Sequence, residues 1–366
     1  MYKKFEPKFR YLLNKNNDDI LIHNKIKVLV YAQNDIIFRQ LPTDLNHNLI
    51  EFSTDLSCDD FDFVVFMHHS SILSNIKIDI PRERLIFLSM EPSDRLCKLH
   101  YKFLNQFGLI VTSDSGSHFV NKFKFNIATW WVGVNAVIKI KNHGFQYDGL
   151  KNFEYFRNNS PHPKEFRSKI NRISVIRSSK LLFEGHSIRD KFIDKLIMSE
   201  IGQHIDVFGG PGNYIHDKFD AINPYRYHLV VENYVDTDYW SEKLSDVFLC
   251  NSFPIYYGCK NIDDYFDSSS ILKIDINDFE ATIAKLNDLI FNEERDYSRQ
   301  INESKNLILY NYNIFNVIFE IILGFNKNKL LKNESNTIIY PNIYYLKGKA
   351  YYFLKNLWLY IRKLIS

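Results

Sequence analysis

The sequence predicts an α/β chain of two Rossmann-like domains in series, each a parallel sheet covered by helices, facing each other across a cleft. Three features predict it. Short continuous apolar runs alternate with helical stretches in the first half, the alternation recurs in the second half, and a stretch of turn formers separates the two sets. Continuous apolar runs of this length suit strands buried on both faces, as in parallel sheets. At 366 residues the chain is also too long for one ordinary core, because a domain takes roughly 100–200 residues.

Strands of the first set are expected at Lys27–Tyr31, Phe61–Met67, Arg84–Met90, Leu109–Thr112 and Ile127–Val132. Between two of them, Asp94–Phe107 places Leu96, Leu99, Phe103 and Phe107 on one helical face. From Lys151 to Phe166 the pattern dissolves into Asn158, Asn159, Ser160, Pro161, His162 and Pro163, a turn-forming cluster with no period. The expected division is therefore a domain over residues 1–150, a linker over 151–168, a second domain over 169–325 and a tail over 326–366. The second set reads as strand Arg172–Ser178, helix Ser187–Ser199, strands Ile205–Phe208 and Tyr227–Glu232, helix Ser241–Leu249 and strand Phe253–Tyr257. A long helical region follows, over Asp296–Leu323.

Apolar residues make up 45% of the chain, as in a globular protein. The formal charge of +3 lacks the basic footprint of a dedicated nucleic-acid binder, so no nucleic-acid partner is expected. Cys58, Cys97, Cys250 and Cys259 form no CxxC pair and have no nearby partner at zinc spacing. They read as reduced thiols. Met1–Asn17 is charged from Lys3 onward and lacks an apolar stretch of signal-peptide length. No run reaches the roughly 20 apolar residues of a membrane-spanning helix. A cytoplasmic location is the expectation.

The chemistry concentrates in Tyr225–Gly258, which reads as a strand, a polar loop, an amphipathic helix with Leu244, Val247 and Phe248 on one face, and a second buried strand. Lys243 sits near the start of that helix, where the helix itself already carries partial positive charge. Either it is solvated beside Glu242, or an anion binds there, since helix N-termini offer free N–H groups to phosphate.

This segment resembles the donor-binding signature of the family 10 fucosyltransferases. The matching residues are Glu232-Asn233 at the strand end, Tyr239-x-Ser241-Glu242-Lys243-Leu244, and Pro254-Ile255 followed by Gly258. Tyr234 and Trp240 depart from the family's residues at their positions. The resemblance implies a GT-B type fold in which Lys243 holds the donor pyrophosphate, Glu242 the ribose hydroxyls, and Tyr239, Asn233 and Glu232 the rest of the donor surface. Upstream, Ile173–Ser179 followed by Gly185-His186-Ser187-Ile188-Arg189 resembles the family's strand, turn and arginine-bearing helix, and implies that Arg189 contacts the pyrophosphate. A guanidinium binds two phosphate oxygens at once and keeps its charge. In the first domain, Met90-Glu91-Pro92-Ser93 resembles the family's Phe-Glu-Ser-Pro element with Pro and Ser exchanged, which implies Glu91 as general base.

Asp236-Thr237-Asp238 and Asp60-Phe61-Asp62 both read as DxD, yet such tripeptides arise often by chance and no metal is assigned to them. His68 and His69, after a predicted strand, are candidates for the acceptor side, or simply polar strand-end residues. From Ser335 onward there is no Asp or Glu, and basic residues are interleaved with aromatic ones. A helix of this kind over residues 340–366 either lies in a membrane interface at the inner face of the cytoplasmic membrane or docks on the protein itself.

The resemblance implies an inverting glycosyltransferase that moves fucose from GDP-fucose to a hydroxyl of a glycan acceptor, in bacterial surface polysaccharide synthesis. GDP-fucose is then a substrate, the partners are a nucleotide sugar and a carbohydrate, and no cofactor or metal is required. The alternatives are the same fold using another nucleotide sugar, and a carbohydrate-binding protein without activity.

Overall fold

The computed structural model describes residues 25–32, 35–43, 49–55, 60–67, 76–91, 101–113, 122–137, 146–148, 150–177, 184–209, 213–291, 295–324 and 337–339. His68, His69, the first half of the expected Asp94–Phe107 helix (residues 94–100) and residues 340–366 lie outside the described residues.

In chain order the strands are β1 (Ile26–Tyr31), β2 (Ile50–Ser53), β3 (Phe63–Met67), β4 (Ile76–Ile78), β5 (Leu85–Ser89), β6 (Leu109–Thr112) and β7 (Lys122–Lys124). Next come β8 (Asn135–Val137), β9 (Gln146–Asp148), β10 (Ile170–Ile176), β11 (Ile205–Phe208), β12 (Tyr225–Val231), β13 (Phe253–Tyr257), β14 (Leu272–Lys273) and β15 (Thr337–Ile339). They build one six-stranded sheet, β2-β1-β3-β5-β6-β7, and one five-stranded sheet, β11-β10-β12-β13-β14. Every pairing in both is parallel. The continuous apolar runs are the central strands: all five residues of β3 and of β5 are buried.

The chain divides into two compact units, and not at residue 150. One is Asn126–Glu320 with a short piece that begins at Phe38, and the other takes the first sheet and the described residues after Glu320. The expected strand Ile127–Val132 is absent. That segment is a loop fastened within the five-stranded unit, with Trp131 and Val132 N–H on the Asp246 carboxylate at 2.7 and 3.1 Å and Arg39 on the Val132 carbonyl at 2.8 Å. Apolar content alone does not make a strand where no neighbour offers a ladder.

The turn-rich stretch 151–168 contains two short helices. Asn152 caps Phe153–Asn158 by accepting from Tyr155 N–H, while His162 caps Pro163–Ser168, with proline at the helix start. The cap residues and N-terminal proline that break a periodic pattern are also the ones that begin helices. In the other unit β15 pairs antiparallel with β4, so residues 337–339 of the expected tail form a strand.

Aromatic side chains fill both cores. Phe87, Phe103 and Phe107 pack edge-on or tilted beside the six-stranded sheet. In the other unit Trp240 lies against Tyr265, Phe266 and Tyr312.

One buried lysine makes stability depend on pH. Lys305 is 1% exposed, and its ammonium donates to the Asn159 carbonyl at 2.5 Å and to Asn251 Oδ1 at 2.9 Å, with no carboxylate among these partners. Burial first, with the like charge of Lys169, pulls its pKa down to about 7, although Cys250 opposes the shift. The unfolded chain, with lysine at 10.5, then binds a proton that the folded chain lacks between about pH 7 and 10.5. Stability from this group therefore rises with pH in that window and is flat below it. The Tm of the wild type relative to Lys305→Met is expected to climb between pH 7 and 9.5. A constant difference would refute the reading.

Candidate functional site

In the five-stranded sheet the chain order reverses between β10 and β12, and parallel sheets bind ligands at the carboxyl ends of their strands at such a switch point. The predicted donor residues gather there. Glu232 and Asn233 follow directly on β12, and the Glu232 N–H continues the ladder to the Tyr257 carbonyl at 2.9 Å. Arg189 comes from the Glu184–Ile197 helix after β10, and Glu242 and Lys243 open the Glu242–Leu249 helix.

Arg189 is 5% exposed. Its Nη1 donates to Asn233 Oδ1 at 3.0 Å and its Nη2 reaches Asp190 at 3.4 Å, while its buried Nε has no partner. Asp190 is shared, because Arg177 also approaches it at 3.7 Å while pairing with Asp194 at 2.7 Å. The Arg189 charge is thus only weakly matched. Because a guanidinium only donates, the Asn233 amide must point its oxygen at Arg189, which turns its NH₂ toward His186 Nε2 at 3.3 Å. Sequence reasoning passed over His186, whose signal is its neighbour. A Cβ on Gly185 would come within 1.9 Å of the Asn233 carbonyl, so only glycine lets the helix start pack onto the strand end.

Lys243 packs against Glu232. Its ammonium donates to Glu232 Oε2 and to Ser241 Oγ, both at 3.0 Å, and is 4.0 Å from Glu242. Burial alone would lower its pKa, but the Glu232 and Glu242 carboxylates raise it above the ordinary lysine value, against an opposing contribution from Arg189. For Glu242 burial works upward, and Lys243 and Lys218 overcome it, leaving the carboxyl below the usual range. Both groups are charged at neutral pH. The Glu232 side chain is fully buried, and accepts from Ser241 N–H at 2.8 Å and from the Ser241 hydroxyl at 2.7 Å. It therefore faces the protein, where the resemblance placed it on the donor surface. A Cβ on Gly258 would strike Glu232 Cγ at 2.4 Å, so that glycine gives the carboxylate its room.

Tyr239 is half-buried and meets Tyr234 edge-on at 5.9 Å. The loop between them is held from within. Asp238, in the left-handed region at φ 63°, accepts from Asn261 at 2.7 Å and Tyr265 at 2.9 Å, and Asp236 accepts from Thr237 N–H at 2.8 Å. In the other DxD, Asp62 accepts from Lys27 N–H at 2.9 Å and Asp60 pairs with the Lys27 ammonium at 3.1 Å. Among the described residues no group of three or more His, Cys, Asp or Glu stands together as a metal site. Among them, too, no helix is long and apolar enough to cross a membrane. Glu91 is in the other unit, half-buried, two residues beyond the carboxyl end of β5.

What the site can do follows from its charges. Two cations, buried Arg189 and Lys243 with two of its N–H groups engaged, act on each other as like charges, and Lys243 lies in the first turn of its helix. Such a place favours a multiply charged anion with several acceptor oxygens.

The chain is similar in part to known fucosyltransferases. Alpha-(1,3)-fucosyltransferase FucT of Helicobacter pylori is 26% identical over 144 residues, covering 36% of this chain and 27% of that protein, so the chain spans about a quarter of the length of this curated relative. A solved structure of an alpha1,3-fucosyltransferase with GDP is 16% identical with a TM-score of 0.46, covering 86% of this chain and 92% of that one. The same enzyme class with GDP-fucose gives 14% and 0.45, with coverage of 86% and 92%. Residues 173–306 match the family model described as glycosyltransferase family 10 (fucosyltransferase), C-terminal. That segment, which contains Arg189, Glu232, Asn233, Tyr239, Glu242 and Lys243, is thus similar to the C-terminal part of the family 10 fucosyltransferases.

Proposed function

We propose that this chain transfers fucose from GDP-fucose to a hydroxyl of a carbohydrate acceptor, with inversion at the anomeric carbon. The observation that carries the reading is the pairing of Arg189, whose buried Nε lacks a partner, with Lys243, at the carboxyl end of β12. These two cations and the helix N-terminus bind the diphosphate and stabilise the charge that grows on it as the bond to the sugar breaks. Electrostatics prearranged in this way usually contributes most to catalysis. Glu242 accepts from the ribose diol, and Tyr239 and Asn233 complete the donor surface. Glu91 takes the proton of the acceptor hydroxyl, whose oxygen attacks the anomeric carbon while GDP leaves. No step requires a metal. The reaction belongs to surface polysaccharide synthesis on the cytoplasmic side, with residues 340–366 as a foot on the membrane.

The test is thermal stabilisation by a panel of nucleoside diphosphates and their sugars, because a ligand that binds only the folded state raises stability by mass action. GDP and GDP-fucose are expected to raise Tm, and UDP and its sugars to leave it unchanged. Stabilisation by a uridine compound and not by GDP would refute the donor assignment.

A further inference from the structure

We propose that Glu232 is a positioning residue whose buried carboxylate, together with the Ser241 hydroxyl, holds two of the three Lys243 N–H groups and leaves the third alone for the donor diphosphate. The proposal rests on the reading of Lys243 as a diphosphate ligand, and it assigns the specificity of that contact to groups behind it. An ammonium has three N–H donors on a flexible stem and by itself carries no direction. Here two are committed, to Glu232 Oε2 and Ser241 Oγ, each at 3.0 Å. The acceptors are themselves fixed. Ser241 is the N-cap of the Glu242–Leu249 helix, and its backbone N–H and hydroxyl both donate to Glu232. Glu232 is locked in turn by the ladder bond of its own N–H to Tyr257 and by the space that Gly258 leaves. The carboxylate therefore orients the ammonium as a single directional donor.

The same contact keeps the ammonium charged. The charged groups that act on Lys243 are Glu232 after β12, Glu242 on its own helix at 4.0 Å, and Arg189 from the helix after β10, while Lys218 acts on Glu242. Burial and Arg189 both disfavour the proton on Lys243, and the two carboxylates outweigh them. Without the Glu232 charge only Glu242 remains to oppose burial, and Lys243 gives up its proton at a lower pH.

The experiment is calorimetric GDP affinity between pH 7.5 and 9 for the wild type, Glu232→Gln, Glu232→Gln with Lys243→Arg, and Lys243→Ala. Relative to the wild type, Glu232→Gln is expected to lose at least about tenfold in affinity across the window. The double variant is expected to lose that pH dependence, because a guanidinium stays protonated. A role in folding alone would lower Tm without creating an alkaline limb in binding. Should Glu232→Gln not fold, Glu232→Asp, which keeps the charge but withdraws it by one methylene, is expected to show a smaller limb of the same sign. Wild-type binding that Lys243→Ala weakens, with a folded Glu232 variant parallel to the wild type in pH, overturns this inference and leaves the site reading intact. No GDP binding by the wild type, or equal binding by Lys243→Ala, overturns both.

Discussion

Replacing Arg189 and Lys243 together by Ala is expected to reduce GDP affinity by about two to four decades at neutral pH. Each change removes charge-assisted hydrogen bonds that contribute roughly 1.5–3 kcal/mol, or about one to two decades of affinity. The two side chains come from different helices and converge on the end of β12. Because they also repel each other, the single effects need not add. Loss of Arg189 is expected to do more than remove one ligand, since Asn233 then loses the donor that fixes its amide. Isothermal calorimetry on the folded variants, checked by circular dichroism, measures this. GDP affinity within about threefold of the wild type in the double variant would remove the diphosphate from this site.

The second large effect is expected at Glu91. Glu91→Gln keeps the shape of the side chain and removes its ability to take a proton, so transfer to a saturating acceptor should fall at least about 10²-fold, the scale of general-base catalysis. GDP affinity should stay near the wild-type value, because Glu91 belongs to the six-stranded unit and the donor residues to the other. That split between turnover and nucleotide binding separates a base from a residue needed for folding. Turnover near the wild-type rate, with donor and acceptor both saturating, leaves the base to be sought elsewhere in the first unit, with His68 and His69 next to test.

Much of this protein was legible in its sequence because the signals were local. Buried parallel strands need both faces apolar, and the runs around Phe63–Met67, Leu85–Ser89, Tyr225–Val231 and Phe253–Tyr257 carry that requirement in consecutive residues. The motif around Glu232 was readable for a related reason. Glu232, Asn233 and Tyr239–Leu244 span a strand end, a loop and a helix start, which the chain brings together within a few residues. Where a partner lies far along the chain, the sequence is silent. Ile127–Val132 has the composition of a strand, and only its hydrogen bonds to Asp246 and Arg39, more than ninety residues away in each case, make it a fastened loop. Those same contacts set the unit boundary at Asn126 in place of residue 150.

The direction of Glu232 is the clearest instance. The motif gives a carboxylate next to the donor residues, but a side chain at a strand end can turn outward to a ligand or inward to the protein with the same sequence. The choice depends on what fills the space behind it. Here Ser241 offers a backbone N–H and a hydroxyl, Lys243 offers a charge, and Gly258 leaves a gap, and burying a carboxylate is tolerable only when it is paired and hydrogen-bonded in this way. The sequence by itself determined the parallel-sheet class, the resemblance to family 10 and the motif residues that gather at the end of β12. Tertiary structure alone decided which of those residues turn inward and hold the others in place, because pairing and desolvation are properties of neighbours that the chain's order does not record.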